Sequence, residues 1–414
     1  MPGRYIFRMH SKFSPYIDAD AMLAWRHAIH RQPELGFEEF QTSALVERCL
    51  REWGYEVATG LAGTGLVGTL VFGPGSARLG LRAEMDALPI QEATGLPWAS
   101  EVPGKMHGCG HDGHTTMLLG AAQALAKLHR EGGHAMDGTL HLIFQPAEEL
   151  GGAGGAQRMM KEGLFSRFPC DAVFAMHNLP GVPQGRVLFR EGACMASSDR
   201  ATIVFEGCGG HGAMPHLATD PTVVAASTVM ALQSIVARNV DPLASAVITV
   251  GRLQAGQTYN VIPETAELEL SIRALRPEVR DLLEARIRAV AQGQADSFGA
   301  RCRVTYERGY PVLVNAPAET RLAMDVARSL FGDAQVMANA DPLCASEDFA
   351  YMLEERPGCY LFIGNGDNGH THGCASGPCS VHNPSFDFND RNLEAGATFW
   401  TALAHSFLST PTRS

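Results

Sequence analysis

The chain has 414 residues, of which 45% are hydrophobic and 19% charged, and its formal net charge is −11 from 33 basic and 44 acidic residues. A chain of this length holds about two domains of ordinary size and can bury a large core. The acidic balance argues against nucleic acid as a partner, because phosphate binding needs a basic surface. No segment of the sequence is predicted to span a membrane.

The N-terminal residues and the cysteines point to a cellular compartment. Residues 1–13 carry Arg4, Arg8 and Lys12 but no apolar run of signal-peptide length. Ten cysteines are scattered along the chain. In a long chain without a secretion signal, such cysteines are expected to be free thiols rather than a disulfide framework. We therefore expect a cytoplasmic protein.

The hydrophobic pattern predicts an α/β architecture with an insertion. It indicates helices at 19–30 and 39–53, then a glycine-rich hairpin, then short buried strands at 80–83, 140–145, 172–176 and 359–363. Short apolar runs that alternate with helical patterns are typical of a largely parallel α/β sheet. Residues 197–309 follow instead the order strand–helix–strand–strand–helix–strand, which is the ferredoxin-like order. We therefore predict an α/β domain of residues 1–196 and 310–414, with an inserted α+β domain of residues 197–309.

The most informative stretch is residues 107–114, which read His-Gly-Cys-Gly-His-Asp-Gly-His. Thiolate, neutral imidazole and carboxylate are ligands of borderline metals such as zinc, manganese and cobalt. The intervening glycines allow the tight turns that aim neighbouring side chains at one point. The spacing differs from that of a Cys-x-x-Cys zinc knuckle. Since the run opens an apolar helical stretch, it favours a metal-centred active site where a loop enters a helix.

Further candidate ligands follow the predicted strands. Glu84 and Asp86 come at the end of the strand at 80–83. Glu148 and Glu149 follow the next buried strand, and His177 follows the third. Ligands of parallel α/β sheets bind beyond the carboxyl ends of the strands. We therefore expect these side chains to share one site.

The adjacent glutamates suit amide hydrolysis. This reaction needs a strong nucleophile and a polarised carbonyl, and a metal pair can supply both. A carboxylate beside the metal must then accept the proton of water and pass it to the leaving nitrogen. Two adjacent glutamates are usually solvated, but Glu148 and Glu149 follow a buried strand. We expect one of them to bind metal and the other to face water.

Eight segments of the chain together resemble the M20 peptidase clan, and most of all its hippurate hydrolases, N-acyl-amino-acid amidohydrolases and plant indole-acetyl-amino-acid hydrolases. The resemblance spans almost the whole chain. It implies a zinc-peptidase-like α/β catalytic domain with an inserted ferredoxin-like lid and dimerisation domain. The matching segments are residues 26–34, 81–89, 107–114, 145–149, 209–216, 260–263, 346–349 and 382–384.

The resemblance implies a dinuclear metal site. Two divalent ions per chain (Mn²⁺, Zn²⁺ or Co²⁺, with Mn²⁺ or Zn²⁺ preferred) would be held by five residues, and Cys109 would bridge the ions. Glu148 would be the general base. The five ligands would be Cys109, His111, Glu149, His177 and His382.

Residues around these ligands are expected to support them. Asp86 is expected to orient a ligand, as partners of metal-binding histidines commonly do, and Asp112 is a weaker candidate for the same role. His107 and His114 are expected to pack or support rather than bind metal. Glu84 is a departure from the family pattern, because many relatives have aspartate there. Cys208 is another, since a basic residue is common at its position.

The resemblance also assigns roles to the inserted domain. His211 would reach the active site of a neighbouring subunit and help to hold the oxyanion. Asn260 and Arg273 would grip the carboxylate of the substrate, which suits the fork of an arginine. An edge strand of this domain would pair with its twin and give a homodimer, or a tetramer built from it.

The function predicted from the sequence is hydrolysis of N-acyl amino acids to a carboxylic acid and a free amino acid. The alternative on the same scaffold is a metallo-dipeptidase or aminopeptidase-type peptidase. A thiol hydrolase would use Cys109 as nucleophile and His111 or His177 as base. A non-catalytic metal-binding scaffold is the third class, but it would not need Glu148. His370, His372, Cys374 and Cys379 could form a second zinc site or belong to a mobile loop, and the mobile loop is the favoured prediction.

Overall fold

A computed structural model describes residues 11–132, 135–367 and 379–409. The fold is mixed α/β, which confirms the predicted class. The helices are α1 Ala19–Arg31, α2 Phe40–Trp53, α3 His111–Glu131, α4 Gly155–Lys161, α5 Leu164–Arg167, α6 Pro221–Asn239, α7 Pro277–Phe298, α8 Pro317–Phe331, α9 Ala350–Glu355 and α10 Asn392–Ser409. The strands are β1 Glu56–Leu61, β2 Gly65–Val71, β3 Arg78–Glu84, β4 Thr139–Gln145, β5 Ala172–Pro180, β6 Val187–Leu188, β7 Gly192–Met195, β8 Asp199–Glu206, β9 Gly210–His211, β10 Ala246–Ala255, β11 Val261–Ile262, β12 Thr265–Ala274, β13 Arg301–Arg308, β14 Leu313–Asn315, β15 Val336–Met337 and β16 Gly358–Gly366.

The chain divides into two compact units. The first comprises residues 1–192, 314–341 and 351–414, and the second comprises residues 193–313 and 342–350. The sequence prediction had placed 342–350 in the first domain. The segment groups with the second unit because Leu343 exchanges backbone hydrogen bonds with Cys194 and Ala196, at 2.9 and 3.0 Å.

The first unit is built on an eight-stranded sheet of order β1-β2-β4-β3-β5-β16-β6-β15. β3 pairs in parallel with β4 and β5, and β5 pairs in parallel with β16, whereas β1 and β2 form an antiparallel hairpin at one edge. All four strands predicted for this sheet are longer than predicted, and in β3 and β5 the extension includes candidate site residues. Glu84 is the last residue of β3, opposite Gln145, and His177 lies inside β5, opposite Phe362. Cross-strand pairing extends both strands beyond their apolar runs.

The helices of the first unit begin and end where the sequence signals them. The carboxylate of Asp18 accepts a hydrogen bond from the N–H of Ala21 at 3.1 Å and caps α1. α2 ends at Gly54, whose φ of 93° is the left-handed conformation that glycine adopts without a side-chain clash.

Helix α3, which begins with His111, is buried along most of its length. Two glycines permit close helix packing around it. A Cβ atom on Gly120 would lie 2.5 Å from the Met22 sulfur of α1, and one on Gly396 of α10 would lie 2.0 Å from the Met117 sulfur. Close packing against α1 and α10 thus holds α3 in place, including its first turn, which begins with His111.

The second unit is a four-stranded antiparallel sheet of order β10-β12-β8-β13. Its chain order is β8-α6-β10-β12-α7-β13, the predicted split βαβ order. The Asp220 carboxylate accepts a hydrogen bond from Thr222 N–H at 2.9 Å and caps α6. The core of the unit includes Ile203, Phe205, Leu232, Leu268, Leu283 and Ile287.

By length and composition, the 19-residue helix α6 could cross a membrane, although no such segment was predicted from the sequence. In the structure, Val224, Leu232 and Ile235 of this helix are part of the core of the second unit. Met230 on the same helix is 73% exposed. The helix thus covers the sheet with one face and leaves apolar side chains on the other.

Candidate metal centre

The candidate ligands of the first unit come from four places in the fold. His177 lies in β5, and Glu149 lies just beyond the end of β4. Cys109 precedes α3, whose first residue is His111. His382 precedes α10. Because β3, β4 and β5 are parallel neighbours, their carboxyl ends meet at one edge of the sheet, beside the start of α3.

The five predicted ligands form two groups that share one atom. Ligand atoms of Cys109, His111 and His177 lie within 4.8 Å of one another, and so do those of Cys109, Glu149 and His382. The Cys109 Sγ is 3.3 Å from His177 Nε2, and His382 Nε2 is 3.1 Å from Glu149 Oε1. The Cys109 sulfur therefore belongs to both groups.

Hydrogen bonds fix which ring nitrogen faces the group. His111 Nδ1 lies 3.0 Å from the backbone oxygen of Asp86 and 3.1 Å from its Oδ1, and His177 Nδ1 lies 2.7 Å from the backbone oxygen of Asn178. These partners accept only, so each Nδ1 carries the proton. Each Nε2 is therefore the ring nitrogen that faces the ligand group. Within the described part of the chain, His111 Nε2 is buried without a hydrogen-bond partner.

The electrostatics of the group fit a cation. Burial raises the pKa of the Cys109 thiol well above its usual value, and the nearby Glu149 and Glu148 raise it further. Burial lowers the pKa of His111, but Asp86 and Glu84 outweigh it and bring that pKa to about 10. Burial and His114 hold the pKa of His177 well below its usual value. A divalent ion would displace the protons of the thiol and of His111 and would offset the clustered carboxylates.

Asp86 supports both groups at once. Its Oδ1 faces His111, and its Oδ2 accepts a hydrogen bond from the backbone N–H of Glu149 at 2.9 Å. Asp86 is 1% exposed, so this arrangement is not shared with solvent. These contacts would let Asp86 orient His111 and Glu149, and its role in metal binding stays a prediction.

The remaining acidic candidate near β4 is Glu148, which is 7% exposed. Its carboxylate lies within 4.8 Å of ligand atoms of His111 and Glu149. Ala147, immediately before it, has a φ of 54°, a left-handed conformation that is rare outside glycine. His382 is left-handed too, with a φ of 67°. Such residues cluster at functional sites, where the surroundings hold the backbone in place.

His107 and His114 were predicted to pack or support rather than to bind metal. Ligand atoms of His114, Glu84 and His111 also lie within 4.8 Å of one another. His114 Nδ1 lies 3.1 Å from Glu84 Oε2, and its Nε2 lies 2.8 Å from Asn178 Oδ1, so both nitrogens are engaged. Glu84 also contacts Arg82, and together Arg82 and His114 hold the pKa of this buried carboxylate well below its usual value against the opposing effect of burial. His107 is buried, and burial lowers its pKa to about 3.

Asp112 differs from the prediction. It was a candidate for orienting a metal ligand, but it accepts a hydrogen bond from Arg26 Nε at 2.9 Å and lies 2.7 Å from His30 Nδ1. Asp112 points away from the ligand group because it follows His111 by one residue on α3, and successive helical side chains face different directions. Arg26, which also contacts Asp387 and Asp390, is fully buried.

Sequence reasoning gave no role to Arg26 and His30. They lie four residues apart on α1, and their spacing on one helix face was the available signal. Their partner Asp112 is 86 residues away from Arg26 along the chain, so nothing local in the sequence identified it. This buried charge network joins α1 to the first turn of α3.

The predicted residues of the second unit lie apart from those of the first in the chain. His211 is exposed and its Nδ1 accepts a hydrogen bond from Ala213 N–H at 3.0 Å. Asn260 is close to it, because Gly212 N–H donates to the Asn260 backbone oxygen at 2.9 Å and His211 pairs with Val261.

Arg273 lies on β12 of the four-stranded sheet rather than on that two-stranded ribbon. It donates from Nη1 to Ser346 Oγ at 2.8 Å. Of the predicted second zinc site, residues 370, 372 and 374 lie outside the described residues, and Cys379 is buried.

The chain combines an α/β fold with a cluster of thiol, imidazole and carboxylate groups at the strand ends. This combination is typical of metal-dependent hydrolases. Residues 80–406 match the family model described as Peptidase family M20/M25/M40, and the chain belongs to this family. The family resemblance inferred from the sequence is thereby confirmed.

Comparison with individual proteins agrees over most of the length. A hippurate hydrolase of Campylobacter jejuni is 42% identical over 383 residues, which cover 92% of this chain and 95% of that protein. An N-acetyl-L-cysteine deacetylase of Bacillus subtilis is 40% identical, over 85% of this chain and 82% of that one. A crystal structure of a Bacillus subtilis protein, described as a dinuclear metal-binding peptidase from the M20 family, aligns with a TM-score of 0.80 and 32% identity, over 95% of this chain and 98% of that one.

Proposed function

We propose that this protein is a dinuclear metal-dependent amidohydrolase that cleaves N-acyl amino acids to a carboxylic acid and a free amino acid. The observation that carries the proposal is the pair of ligand groups that share the Cys109 sulfur, with the Glu148 carboxylate beside them. Two relatives, the hippurate hydrolase and the N-acetyl-L-cysteine deacetylase, are named for action on small N-acyl amino acids. Each alignment covers more than four fifths of this chain.

Cys109, His111, Glu149, His177 and His382 would hold two divalent ions, with Cys109 as the bridge. The donor set of one thiolate, three imidazoles and a carboxylate suits Zn²⁺, Mn²⁺ or Co²⁺, and we favour Zn²⁺ or Mn²⁺. When bound, the ions supply an acidified water and stabilise the developing oxyanion. Asp86 keeps His111 in the tautomer that offers Nε2.

Glu148 moves the proton in the proposed reaction. As general base it accepts a proton from the attacking water, and as general acid it donates that proton to the leaving amide nitrogen. Its low exposure favours this role, because a carboxylate shielded from bulk water keeps the proton for the substrate. Glu149, whose backbone N–H is held by Asp86, remains a ligand throughout.

We assign substrate binding to residues of the second unit. Arg273 and Asn260 would bind the carboxylate of the amino-acid half, and the Arg273 guanidinium is already oriented by Ser346. His211 would help to hold the oxyanion in the partner subunit of a homodimer or of a tetramer. The exposure of His211 leaves it free to serve another chain.

We also propose a cytoplasmic protein that acts on small molecules rather than on nucleic acid or membranes. Six cysteines are free thiols, which suits a reducing compartment: Cys49, Cys109, Cys170, Cys208, Cys302 and Cys344. The net charge of −11 disfavours phosphate backbones as partners.

A thiol hydrolase is disfavoured by the chemistry of Cys109. Reactive cysteines have a lowered pKa, whereas burial and the neighbouring glutamates raise the pKa of Cys109. A dipeptidase or aminopeptidase-type peptidase on the same ligands is the remaining alternative, and it differs in substrate rather than in machinery.

Metal analysis and a substrate panel test the proposal. Purified protein is expected to contain about two ions per chain, to lose activity with a chelator, and to regain it with Zn²⁺ or Mn²⁺. Benzoyl-, acetyl- and indole-acetyl-amino acids should be hydrolysed faster than dipeptides. Faster hydrolysis of dipeptides would favour the peptidase, and chelator-resistant activity would contradict a metal enzyme.

A further inference from the structure

Glu38 and Glu39 are adjacent in the sequence but have different surroundings. Glu38 is exposed and pairs with Lys105, with Oε2 and Nζ 3.1 Å apart. Glu39 is fully buried. A buried carboxylate is costly unless its oxygens are hydrogen-bonded, so the partners of Glu39 indicate why it is there.

Glu39 does not cap the helix that it precedes. The N–H groups of Gln41 and Thr42 at the start of α2 donate to the Glu34 carboxylate instead, at 2.9 to 3.0 Å. The two oxygens of Glu39 are bound elsewhere. Oε2 accepts a hydrogen bond from Thr64 Oγ1 at 2.5 Å, and Oε1 accepts one from the backbone N–H of Ala147 at 2.8 Å.

Ala147 lies two residues after the end of β4 and has a left-handed backbone conformation, with φ of 54° and ψ of 45°. Its peptide groups are held on both sides, because its N–H donates to Glu39 and its backbone oxygen accepts from Gly155 N–H at 2.9 Å. A left-handed alanine persists only where the surroundings impose it. The next two residues along the chain are Glu148 and Glu149.

The packing around Ala147 leaves little room for a different backbone conformation. Its side chain is fully buried, and a Cβ atom on Gly36 would lie 2.9 Å from the Ala147 Cβ. Gly36 belongs to the same 34–39 segment as Glu39, so this one segment both packs against the turn and bonds to it. Glu39 supplies the polar half of that contact.

Resting on the proposed function, we propose that Glu39 is a positioning residue for the proposed general base and its neighbouring metal ligand. By holding the N–H of Ala147, the Glu39 carboxylate keeps the chain in the left-handed turn that aims Glu148 and Glu149 at the site. Glu39 touches neither the ligand atoms nor the substrate in this role. Thr64 acts one step further back, because its hydroxyl fixes the other oxygen of Glu39.

The burial of Glu39 supports this role. Burial raises the pKa of Glu39 to about 7. The hydrogen bond from Thr64 lowers this pKa, whereas the nearby Asp86 raises it. Either protonation state leaves an oxygen that can accept from Ala147 N–H, since the rotatable hydroxyl of Thr64 can donate or accept. The acceptor, rather than the charge, is therefore what the turn requires.

The test compares five proteins: wild type, Glu39→Met, Glu39→Gln, the double variant Glu39→Met/Ala147→Gly, and Glu38→Gln as the matched control. Methionine approximates the shape of glutamate without an acceptor for Ala147, whereas the oxygen of glutamine can still accept. Glycine adopts positive φ freely, so it should stabilise the turn without Glu39. The readouts are kcat, KM and the affinity of the metal-free protein for Zn²⁺, measured by competition with a chelator.

Glu39→Met is expected to lower kcat by about 10²-fold, because a small misplacement of a catalytic group costs that much, with KM changed by less than about threefold. Its Zn²⁺ affinity should fall by about 10-fold, as for other residues that orient ligands. Glu39→Gln and Glu38→Gln should stay close to wild type. The double variant should recover most of the kcat and of the affinity that Glu39→Met loses.

A folded Glu39→Met protein with wild-type kcat and Zn²⁺ affinity would overturn the proposal, and so would a double variant that recovers nothing. If Glu39→Met does not fold, Thr64→Val takes its place and should show smaller losses in the same direction; wild-type values there would overturn the proposal too. If the wild type hydrolyses no N-acyl amino acid, the proposed function fails. The Zn²⁺ affinities of the same proteins then still decide the role of Glu39.

Discussion

The two units hold their site residues in opposite ways. In the first unit, the side chains around Cys109 are mostly buried, and hydrogen bonds that the rings donate to Asp86 and Asn178 set the orientation of His111 and His177. In the second unit, His211 is exposed, on a ribbon of two short strands.

The contrast fits the different roles that we propose for the two units. Metal sites need ligands held in place before the ion arrives, and supporting hydrogen bonds supply that order. Groups that meet the substrate must admit it first, so exposure and short elements suit them. The proposed roles follow this division, and each prediction below probes one side of it.

Glu148→Gln should have the largest effect. The amide cannot accept a proton, and loss of a general base lowers kcat by about 10²–10⁴-fold. Metal content, measured by elemental analysis, should stay near that of the wild type, because Glu148 is not one of the proposed ligands. Turnover at the wild-type rate would remove Glu148 from the mechanism.

His211→Ala probes the exposed side and should lower kcat by about 10²–10³-fold, the usual cost of one oxyanion donor. If His211 acts in the partner subunit, a heterodimer of His211→Ala and Glu148→Gln regains one working site of two. That site has its own Glu148 and receives His211 from the other chain. The measurement is turnover after the two variants are dissociated and mixed.

Native mass spectrometry of the mixture serves as the control for subunit exchange. Confirmed heterodimers that stay inactive would place the action of His211 within its own chain, or limit it to support of the turn.

Cys109→Ser should lower metal occupancy and activity together, by about 10²-fold in affinity, the upper end of what a supporting residue costs. A soft bridging thiolate would be replaced by a hydroxyl that ionises poorly. Elemental analysis and turnover are measured on the same preparation. A serine variant that is fully metallated and active would show that the sulfur is not a ligand.

Asp86→Asn should have the smallest effect of the four, a loss of about 10–100-fold in metal affinity. The amide NH₂ would face either the His111 ring or the Glu149 N–H, and both of those groups donate. Chelator competition measures the affinity, and Asp112→Asn is the matched comparison on α3. Equal losses in both variants would indicate a general effect on the helix rather than on the ligands.

Much of the site could be predicted from the sequence because parallel strands bring their carboxyl ends together. Glu149 and His177 are far apart in sequence but end up at one edge for that reason. The cluster of candidate ligands at 107–114 is local, so its residue types alone indicated it. The order of strands and helices in the second unit followed from its strand and helix periods.

Other features depended on contacts that no local pattern encodes. Asp112 turns to Arg26, and the 342–350 segment joins the second unit through backbone bonds. Glu39 looked like an ordinary helix start, since its partner Ala147 is 108 residues away. The left-handed turn at Ala147 was equally hidden, because alanine carries no signal for positive φ.

The ribbon of β9 and β11 joins the neighbourhoods of two residues with proposed substrate roles, His211 and Asn260. Val261 pairs with His211, and Gly212 N–H donates to the backbone oxygen of Asn260. Backbone hydrogen bonds therefore fix the spacing of these two residues. If they have the proposed roles, binding of the amino-acid end of a substrate at Asn260 and placement of His211 would be coupled, and a molecule without that end would be expected to lose both contacts.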